Sequence, residues 1–252
     1  MDNNQSNNNC LYNLIYTQYN EDIGVESFFS YDMSYPVFLN LKNDAFYINP
    51  SILNNINSTI ALDVNTFKDD MEKEQQQYNN NALNSALPTR NFRARSDYNV
   101  TFNKNHILSV ISRLVGFAGE LYTEYDDLYN YNYDLATGNT FSLKDVFNDD
   151  VNVIEVVSNY INYKIQQNPN MYHPDTKVEI PDAQSFYLTD DGIVIYFGID
   201  EIAPREFGIP KFKMMFTKFA PYIKPRFYCD AQNIGARRRN NRNSRGNSTI
   251  RF

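Results

Sequence analysis

The sequence predicts an α+β fold, in which two principal helices pack on a mainly antiparallel sheet. Most of the chain consists of short segments rich in aromatic and β-branched residues, separated by turn residues, as in antiparallel strands. Two longer stretches, residues 49–81 and 142–165, instead repeat apolar residues at the helical period. Helices that lie on one face of a mainly antiparallel sheet make an α+β domain.

The first predicted strands follow a polar leader. Residues 1–9 are polar and rich in asparagine, and we expect them to be disordered. Residues 10–20 and 25–41 are rich in aromatic and β-branched residues and predict strands, so that residues 1–24 form a leader with a first strand. Pro36 suits a strand start or an edge strand, because proline cannot donate a hydrogen bond to a neighbouring strand.

The first helix has a clear predicted start. Asn49 is a suitable N-cap, and Pro50 follows at the first helical position, where the missing N–H costs nothing. Residues 79–96 predict a connecting loop and a seam between two subdomains. Between these points, apolar residues recur every three or four positions and predict one buried stripe: Ile52, Ile56, Ile60, Val64, Phe67 and Met71.

The middle of the chain predicts a hairpin, a strand and the second helix. Residues 96–117 predict a β-hairpin that turns at 103–105. In residues 129–133 three tyrosines alternate with polar residues, so the three rings share one face of a strand. Residues 142–145 resemble a capping box and predict the start of the second helix, which continues with apolar residues at helical spacing.

Residues 185–197, SFYLTDDGIVIYF, predict a second hairpin. Asp191-Gly192 suits a type I′ turn, which needs positive φ at both central positions. This turn pairs Leu188 with Ile195, whereas a three-residue loop would shift the register by one residue. One face of the predicted hairpin carries Phe186, Leu188, Ile193, Ile195 and Phe197, and the other carries Tyr187, Thr189, Val194 and Tyr196.

The charge of the chain is uneven. Of the 23 lysines and arginines, six lie in residues 235–252, which contain no acid, so 17 bases face 30 acids in the remainder. An acidic surface repels nucleic acid and attracts basic partners, although ordinary solubility is the simpler explanation of this charge. The arginine-rich tail predicts disorder, and its alternative role is a contact with phosphate. The two cysteines, Cys10 and Cys229, form no CxxC pair, and whether they join is left open.

The sequence offers no chemistry of a recognised type. Neither His106 nor His173 has a metal-ligand partner at a suitable spacing, and the acidic runs 124–127 and 149–150 lack the spacing and glycine of a calcium loop. The motifs of serine hydrolases and of nucleotide-binding loops are absent. We therefore expect no catalytic residue, no metal and no cofactor. A hydrolase that uses two of the carboxylates is the alternative.

The N-terminus lacks the basic region and apolar run of a signal peptide, and no segment is apolar enough to span a membrane. The sequence as written therefore predicts a cytoplasmic protein.

The C-terminal part resembles a known bacterial family. The segment FYLTDDGIVIYFGIDEIAPREFGIPKFKMMF is similar to the end of the extracellular domain of RsiV-type anti-sigma factors. YNYDLATGNTFSLKDVF resembles an upstream motif of that family, and YPVFLNLKN with INPSILNNIN resembles its preceding strand and helix. The best-matching positions are Phe186, Tyr187, Leu188, Asp191, Gly192, Phe197, Glu201, Ile202, Ala203, Pro204, Gly208, Ile209, Pro210 and Phe212.

This resemblance implies a fold and a binding role. The family includes lysozyme receptors and domains beside the catalytic domain of PdaC-type peptidoglycan deacetylases, whose chemistry lies in that other domain. It implies an α+β domain at residues 25–217, an extension at 218–252, a protein or cell-wall glycan as ligand, and the cell envelope as the alternative location. A cytoplasmic, sporulation-related interaction protein is a further alternative. We expect the partner-binding loop to comprise Glu201, Ala203, Pro204, Arg205, Glu206, Gly208 and Pro210.

Overall fold

The computed structural model describes residues 11–41, 47–85, 87–119 and 123–228. It confirms the predicted α+β class, with a mixed five-stranded sheet, a three-stranded antiparallel sheet, one long helix and several shorter ones. The strands are β1 (Ile15–Glu26), β2 (Phe29–Asn40), β3 (Phe92–Lys104), β4 (Ile107–Ala118), β5 (Thr123–Asp134), β6 (Phe186–Thr189), β7 (Gly192–Tyr196) and β8 (Lys211–Met215), and the helices are α1 (Pro50–Ser85), α2 (Leu143–Val146), α3 (Val153–Gln167) and α4 (Phe216–Phe219).

The chain divides into two compact units. The N-terminal unit comprises Asn13–Val100 and Val110–Asn139 and contains α1 and most of the five-stranded sheet. The C-terminal unit, named after its largest part, comprises Met1–Tyr12, Thr101–Ser109 and Thr140–Phe252 and contains the three-stranded sheet. The predicted domain boundaries at 24, 217 and near 79–96 stay a prediction. The leader, both cysteines and the arginine-rich tail lie outside the described residues.

The five-stranded sheet has the order β1-β2-β3-β4-β5. β1 and β2 pair antiparallel along their whole length, whereas β2 and β3 pair in parallel from Phe29↔Phe92 to Met33↔Ser96, with α1 between them in the chain. Pro36 therefore lies inside an inner strand, not at the predicted strand start or edge. It lies beyond the last pair with β3, where β2 has a neighbour on one side only, so no ladder bond is lost.

Helix α1 confirms the predicted stripe but runs further than predicted. Of the six predicted residues, Ile56, Ile60, Val64 and Met71 are buried, whereas Ile52 and Phe67 are half-buried. The helix continues to Ser85 through a segment that was predicted to be a loop, and its last turns are buried at Asn79 and Ala82. Among the residues that the structure describes, no helix is long and apolar enough to cross a membrane.

Asparagine side chains bridge helices to backbone peptides in a repeated arrangement. The amide of Asn57 donates to Phe38 O at 3.0 Å and accepts from Phe38 N at 2.8 Å, as a neighbouring strand would. Asn79 makes the same pair of bonds with Arg90. On α3, Asn162 donates to Val178 O at 2.7 Å and accepts from Val178 N at 2.8 Å. These side chains provide hydrogen-bond partners for backbone groups that would otherwise be buried without one.

The first hairpin is confirmed, but its turn lies at Asn105-His106 instead of 103–105. Both residues have positive φ, 54° and 58°, as a type I′ turn requires. Asparagine and histidine are among the residues that adopt this conformation most readily. His106 thus has a turn role that the sequence did not reveal.

The second predicted helix is two helices. Ser142 and Asp145 form the predicted capping box, since Asp145 Oδ2 accepts from Ser142 N at 2.8 Å and from Ser142 Oγ at 2.7 Å, but α2 ends after four residues. Asn152 then caps α3 by accepting from Glu155 N. A capping box sets where a helix begins and carries no information on its length.

The second hairpin confirms the predicted faces but not the predicted register. The structure pairs Leu188 with Ile193 instead of Ile195, and the turn is Asp190-Asp191, neither of which has positive φ. Because the partner shifts by two residues, each side chain keeps its face. Gly192 is needed for another reason: a Cβ there would lie 2.6 Å from Met214 O in β8.

The core of the C-terminal unit is apolar and lies between α3 and the three-stranded sheet. Both faces of the hairpin are buried, the second one at Tyr187, Val194 and Tyr196. The core cluster includes Phe147, Val157, Ile161, Phe186, Leu188, Ile193, Ile195, Phe197, Phe212 and Met214.

Candidate functional site

The predicted partner-binding loop lies between β7 and β8, in the C-terminal unit. We call residues 197–210 the β7–β8 loop. Its two ends are joined, because Phe197 N donates to Pro210 O at 3.1 Å, and the ring of Phe197 packs edge-on against Phe212 at 5.8 Å. The loop is therefore closed at its base, and the path of the chain between the two ends is limited.

The first half of the loop is a turn held by a carboxylate. Glu201 N donates to Gly198 O at 3.3 Å, and Glu201 Oε2 accepts from Gly198 N at 2.6 Å. Asp200, within this turn, has positive φ of 64°. The side chain of Glu201 is exposed but already serves the loop itself, so its first role is to hold the turn.

The centre of the loop is anchored to a neighbouring loop. Ile202 is buried, and its carbonyl oxygen accepts from His173 N at 3.1 Å and from Thr176 Oγ1 at 3.4 Å. His173 Nε2 lies 3.1 Å from Asp200 O. The half-buried His173, predicted to be a surface histidine, thus connects two loops.

The second half of the loop is one turn of 3₁₀ helix, Arg205–Phe207, with Pro204 before it. Phe207 N donates to Pro204 O, and Gly208 N donates to Arg205 O, each at 2.9 Å. Gly208 has φ of 70° and ψ of −155°, a region that only glycine occupies readily. This conformation turns the chain back toward β8.

The predicted site residues separate into a frame and a tip. Ala203 and Pro210 are buried and belong to the frame. Arg205 and Glu206 are exposed and belong to the tip, together with Phe207, which is 46% exposed and which the sequence analysis missed. An apolar residue between charged residues and a glycine was the available signal. We call residues 205–207 the loop tip.

A separate cleft lies beside the start of α3, with a volume of about 270 Å³. Two of its polar residues have structural partners: Asn152 caps α3, and Asp149 Oδ1 lies 2.9 Å from Lys224 Nζ. No histidine, cysteine or serine lines the cleft, which is formed by Leu143, Lys144, Asp149, Val151, Asn152, Val153, Ile154, Ile180, Pro181 and Asp182. Its remaining ionisable side chains are those of Lys144 and Asp182.

One of the acidic residues predicted to be solvated is buried. Asp126 accepts from Arg113 Nε and from Arg113 Nη2, both at 2.7 Å, in a two-bond ion pair on the N-terminal unit's sheet. The hydrogen bond to Asp126 raises the pKa of Arg113 above its ordinary value, although desolvation acts to lower that pKa. Asp149 is exposed, as predicted. Among the described residues, no group of acids, histidines or cysteines is arranged to hold a metal ion.

Two family models match parts of this chain. Residues 144–217 match the family described as protein of unknown function DUF3298, and residues 24–120 match the family described as deacetylase PdaC. The chain carries a PdaC domain followed by a DUF3298 domain. The resemblance found in the sequence is thereby confirmed, and the β7–β8 loop lies wholly within the DUF3298 domain.

The fold is similar to that of a solved structure. A DUF3298 family member from Bacteroides fragilis NCTC 9343 is 13% identical, with a TM-score of 0.53, and the alignment covers 84% of this chain and 95% of that one. A DUF3298 family protein from Pseudomonas aeruginosa PAO1 is 14% identical, with a TM-score of 0.49 and coverage of 85% and 96%. A search of curated proteins finds no match.

Proposed function

We propose that this chain is a non-catalytic binding domain, and that the loop tip of its DUF3298 domain contacts a protein ligand. The observation that carries the proposal is Phe207, a large apolar side chain that is 46% exposed at the end of a hydrogen-bonded loop. Exposed aromatic residues beside arginine are the usual anchors of protein interfaces.

The frame of the loop supports this role. The closed base, the Glu201–Gly198 turn and the anchor at Ile202 hold the tip in one conformation before a ligand arrives. A loop that is already ordered loses little conformational entropy on binding, so more of the contact energy remains as affinity.

Charge favours a basic protein of the lysozyme type as the ligand. The chain outside residues 235–252 has 17 bases against 30 acids, whereas the tip itself carries one acid and one base, Glu206 and Arg205. Opposite charges accelerate association and lose this effect as salt rises. A cell-wall glycan is the other ligand class that the family resemblance implies. A glycan has no positively charged surface that would complement the acids of this chain.

The direct test is isothermal titration calorimetry of the full chain with lysozyme and, separately, with muropeptides. We expect lysozyme to bind, and Phe207→Ala to weaken binding by about tenfold or more, as for an interface anchor. Glu206→Lys should also weaken lysozyme binding, and the loss should be greater at low salt than at high salt. Leu87→Ala, which removes another exposed apolar side chain, is the matched control and should bind as wild type.

Binding heat with muropeptides but not with lysozyme would indicate that the ligand is a cell-wall glycan and not a protein. Silence with both ligands would refute the proposal. Release of soluble sugar from cell walls incubated with the protein would refute its non-catalytic part. Fractionation of the host cell would decide between the cytoplasm, predicted from the sequence as written, and the cell envelope, where these ligands occur.

A further inference from the structure

The two sheets differ at their edges. In the C-terminal unit, β6 has four residues, and its Leu188 N–H donates to Ser109 Oγ at 3.0 Å. At the other edge, β8 carries exposed Lys211 and Lys213, and Lys213 O accepts from Tyr160 OH. Short length, lysines and covered backbone groups are the usual ways in which proteins prevent an edge strand from pairing with another chain.

β1, at the edge of the five-stranded sheet, has none of these features. It is twelve residues long, about twice the usual strand length, and contains neither proline nor lysine. Its register with β2 is continuous, so it has no bulge. It also exposes apolar side chains, among them Ile23 at 61% and Val25 at 82%.

The hydrogen-bond phase shows which groups of β1 point outward. Leu41 N donates to Leu14 O, so this pair is a hydrogen-bonded one, and hydrogen-bonded pairs alternate along an antiparallel ladder. Even-numbered residues of β1 therefore bond to β2. The partner of Thr17 agrees, because Phe38 turns its N–H and C=O away from β1 to Asn57.

The odd-numbered residues from Ile15 to Val25 consequently direct their N–H and C=O groups away from β2. Within the part of the chain that the structure describes, these backbone groups have no partner. Such a row accepts an added strand.

The charge of β1 specifies the kind of strand. Glu21, Asp22 and Glu26 are its charged residues, and it has no base. Asp22 is paired with Lys68 of α1, whereas Glu21 is exposed beside the outward edge and accepts from Tyr19 OH at 2.7 Å. Two copies of β1 would bring six carboxylates together, and only the two Asp22 side chains have a base, Lys68, beside them, which opposes self-pairing.

We propose that the outward edge of β1 binds an extended, basic segment of another polypeptide as a sixth strand of this sheet. This surface is separate from the loop tip and does not depend on it. The exposed Ile23 and Val25 supply apolar contacts to the partner's side chains, and Glu21 supplies the charge preference.

The test is amide hydrogen exchange, measured by NMR on the full chain, alone and with saturating peptide VKVKVKVK. Alone, even-numbered amides of β1 should exchange slowly and odd-numbered amides fast. With the peptide, the odd-numbered amides should become protected, while VEVEVEVE should leave them fast. Phe207→Ala should change neither result, which separates this proposal from the function of the loop tip.

Two variants of β1 make the test specific. Ile23→Pro removes an outward N–H of β1 without removing a hydrogen bond to β2, just as Pro36 occupies β2 without loss of a ladder bond. The variant should therefore abolish protection by the peptide and leave the even-numbered amides slow to exchange. Glu21→Lys keeps the backbone edge and should weaken VKVKVKVK binding by about tenfold, while it permits VEVEVEVE to bind.

Three results would overturn the proposal. The first is absence of protection with VKVKVKVK, and the second is equal protection by both peptides. The third is protection of the odd-numbered amides without peptide: dependence on protein concentration would indicate self-pairing, and loss on deleting residues 229–252 would indicate the chain's own C-terminus.

Discussion

Both units hold a helix with apolar and polar contacts, since α3 of the C-terminal unit also donates from Tyr160 OH to Lys213 O, but the two kinds of contact can be compared between them. In the C-terminal unit, α3 packs through an apolar cluster in which Leu188, Ile193 and Ile195 are fully buried. In the N-terminal unit, polar contacts accompany an apolar cluster: Tyr131 OH donates to Asp63 Oδ2 of α1 at 2.9 Å, and Asn79 binds the peptide of Arg90.

The two kinds of contact should respond differently to substitution. Apolar contacts are not directional, so loss of one side chain leaves a cavity whose cost depends on its volume. Polar contacts depend on donors and acceptors, so a change of one atom type without change of size is costly. Burial of Tyr131, with Asp63 as the next cause, also raises the pKa of its hydroxyl above the ordinary value, which keeps it a donor.

The largest effect should come from the apolar core. Leu188→Ala removes a fully buried side chain between α3 and the sheet, and it should lower the free energy of unfolding by about 2–5 kcal/mol. Urea unfolding followed by circular dichroism measures this. Met171→Ala, at an exposed site of the same unit, should change little. Equal losses for the two variants would show that the cluster is not the core of this unit.

A smaller, chemically specific effect should come from Asn79→Asp. The substitution preserves size but replaces the donor to Arg90 O with a negatively charged acceptor, and we expect a loss of about 1–3 kcal/mol. Asn80→Asp makes the same change at the adjacent, exposed position of α1 and serves as the control. If both variants unfold at the same urea concentration, the bridge contributes nothing to stability.

The sequence predicted what depends on local pattern. The stripe of α1, the face of each residue in the second hairpin and the start of α2 follow from periodicity and capping, and all are found. The asparagine bridges were not predicted, because nothing local distinguishes Asn79 from Asn80. The tip residue Phe207 was missed because exposure of an aromatic residue depends on how the loop folds.

The error in register has a tertiary cause. Asp191-Gly192 is a strong local signal for a type I′ turn, yet Gly192 lies in β7 without positive φ. The close approach of β8 at Met214 requires glycine at that position, and the turn forms one residue earlier. A glycine required by a neighbouring backbone cannot be told from a turn glycine in one sequence.

Gly192→Ala tests this explanation. A Cβ would lie 2.6 Å from Met214 O, so β7 and β8 must move apart, and we expect a loss of about 1–3 kcal/mol in the free energy of unfolding. Gly119→Ala is the contrasting variant, because its Cβ would meet nothing within 4 Å, and positive φ would be its only strain. Faster amide exchange at Ile193 and Val194 in Gly192→Ala alone would locate the damage at this pair of strands.

The smallest effect should be pH-dependent and should come from Asp191. The hydrogen bond from Lys213 is the main cause that holds the pKa of this carboxyl below its ordinary value, and a hydrogen bond from Thr189 assists. A lowered pKa in the folded state means that the contribution is fully present above the ordinary pKa of aspartate, about 3.9, and is lost as pH falls through the lower folded value.

Asp191→Asn should therefore reduce the melting temperature slightly at neutral pH and converge with wild type in acid. Asp150→Asn, at an exposed position of the same unit, is the control and should run parallel to wild type at every pH. Because Asp191 is half-exposed, salt should shrink the difference between Asp191→Asn and wild type. A difference that persists unchanged at low pH would mean that the hydrogen bond from Thr189, and not the charge of Lys213, makes the contribution.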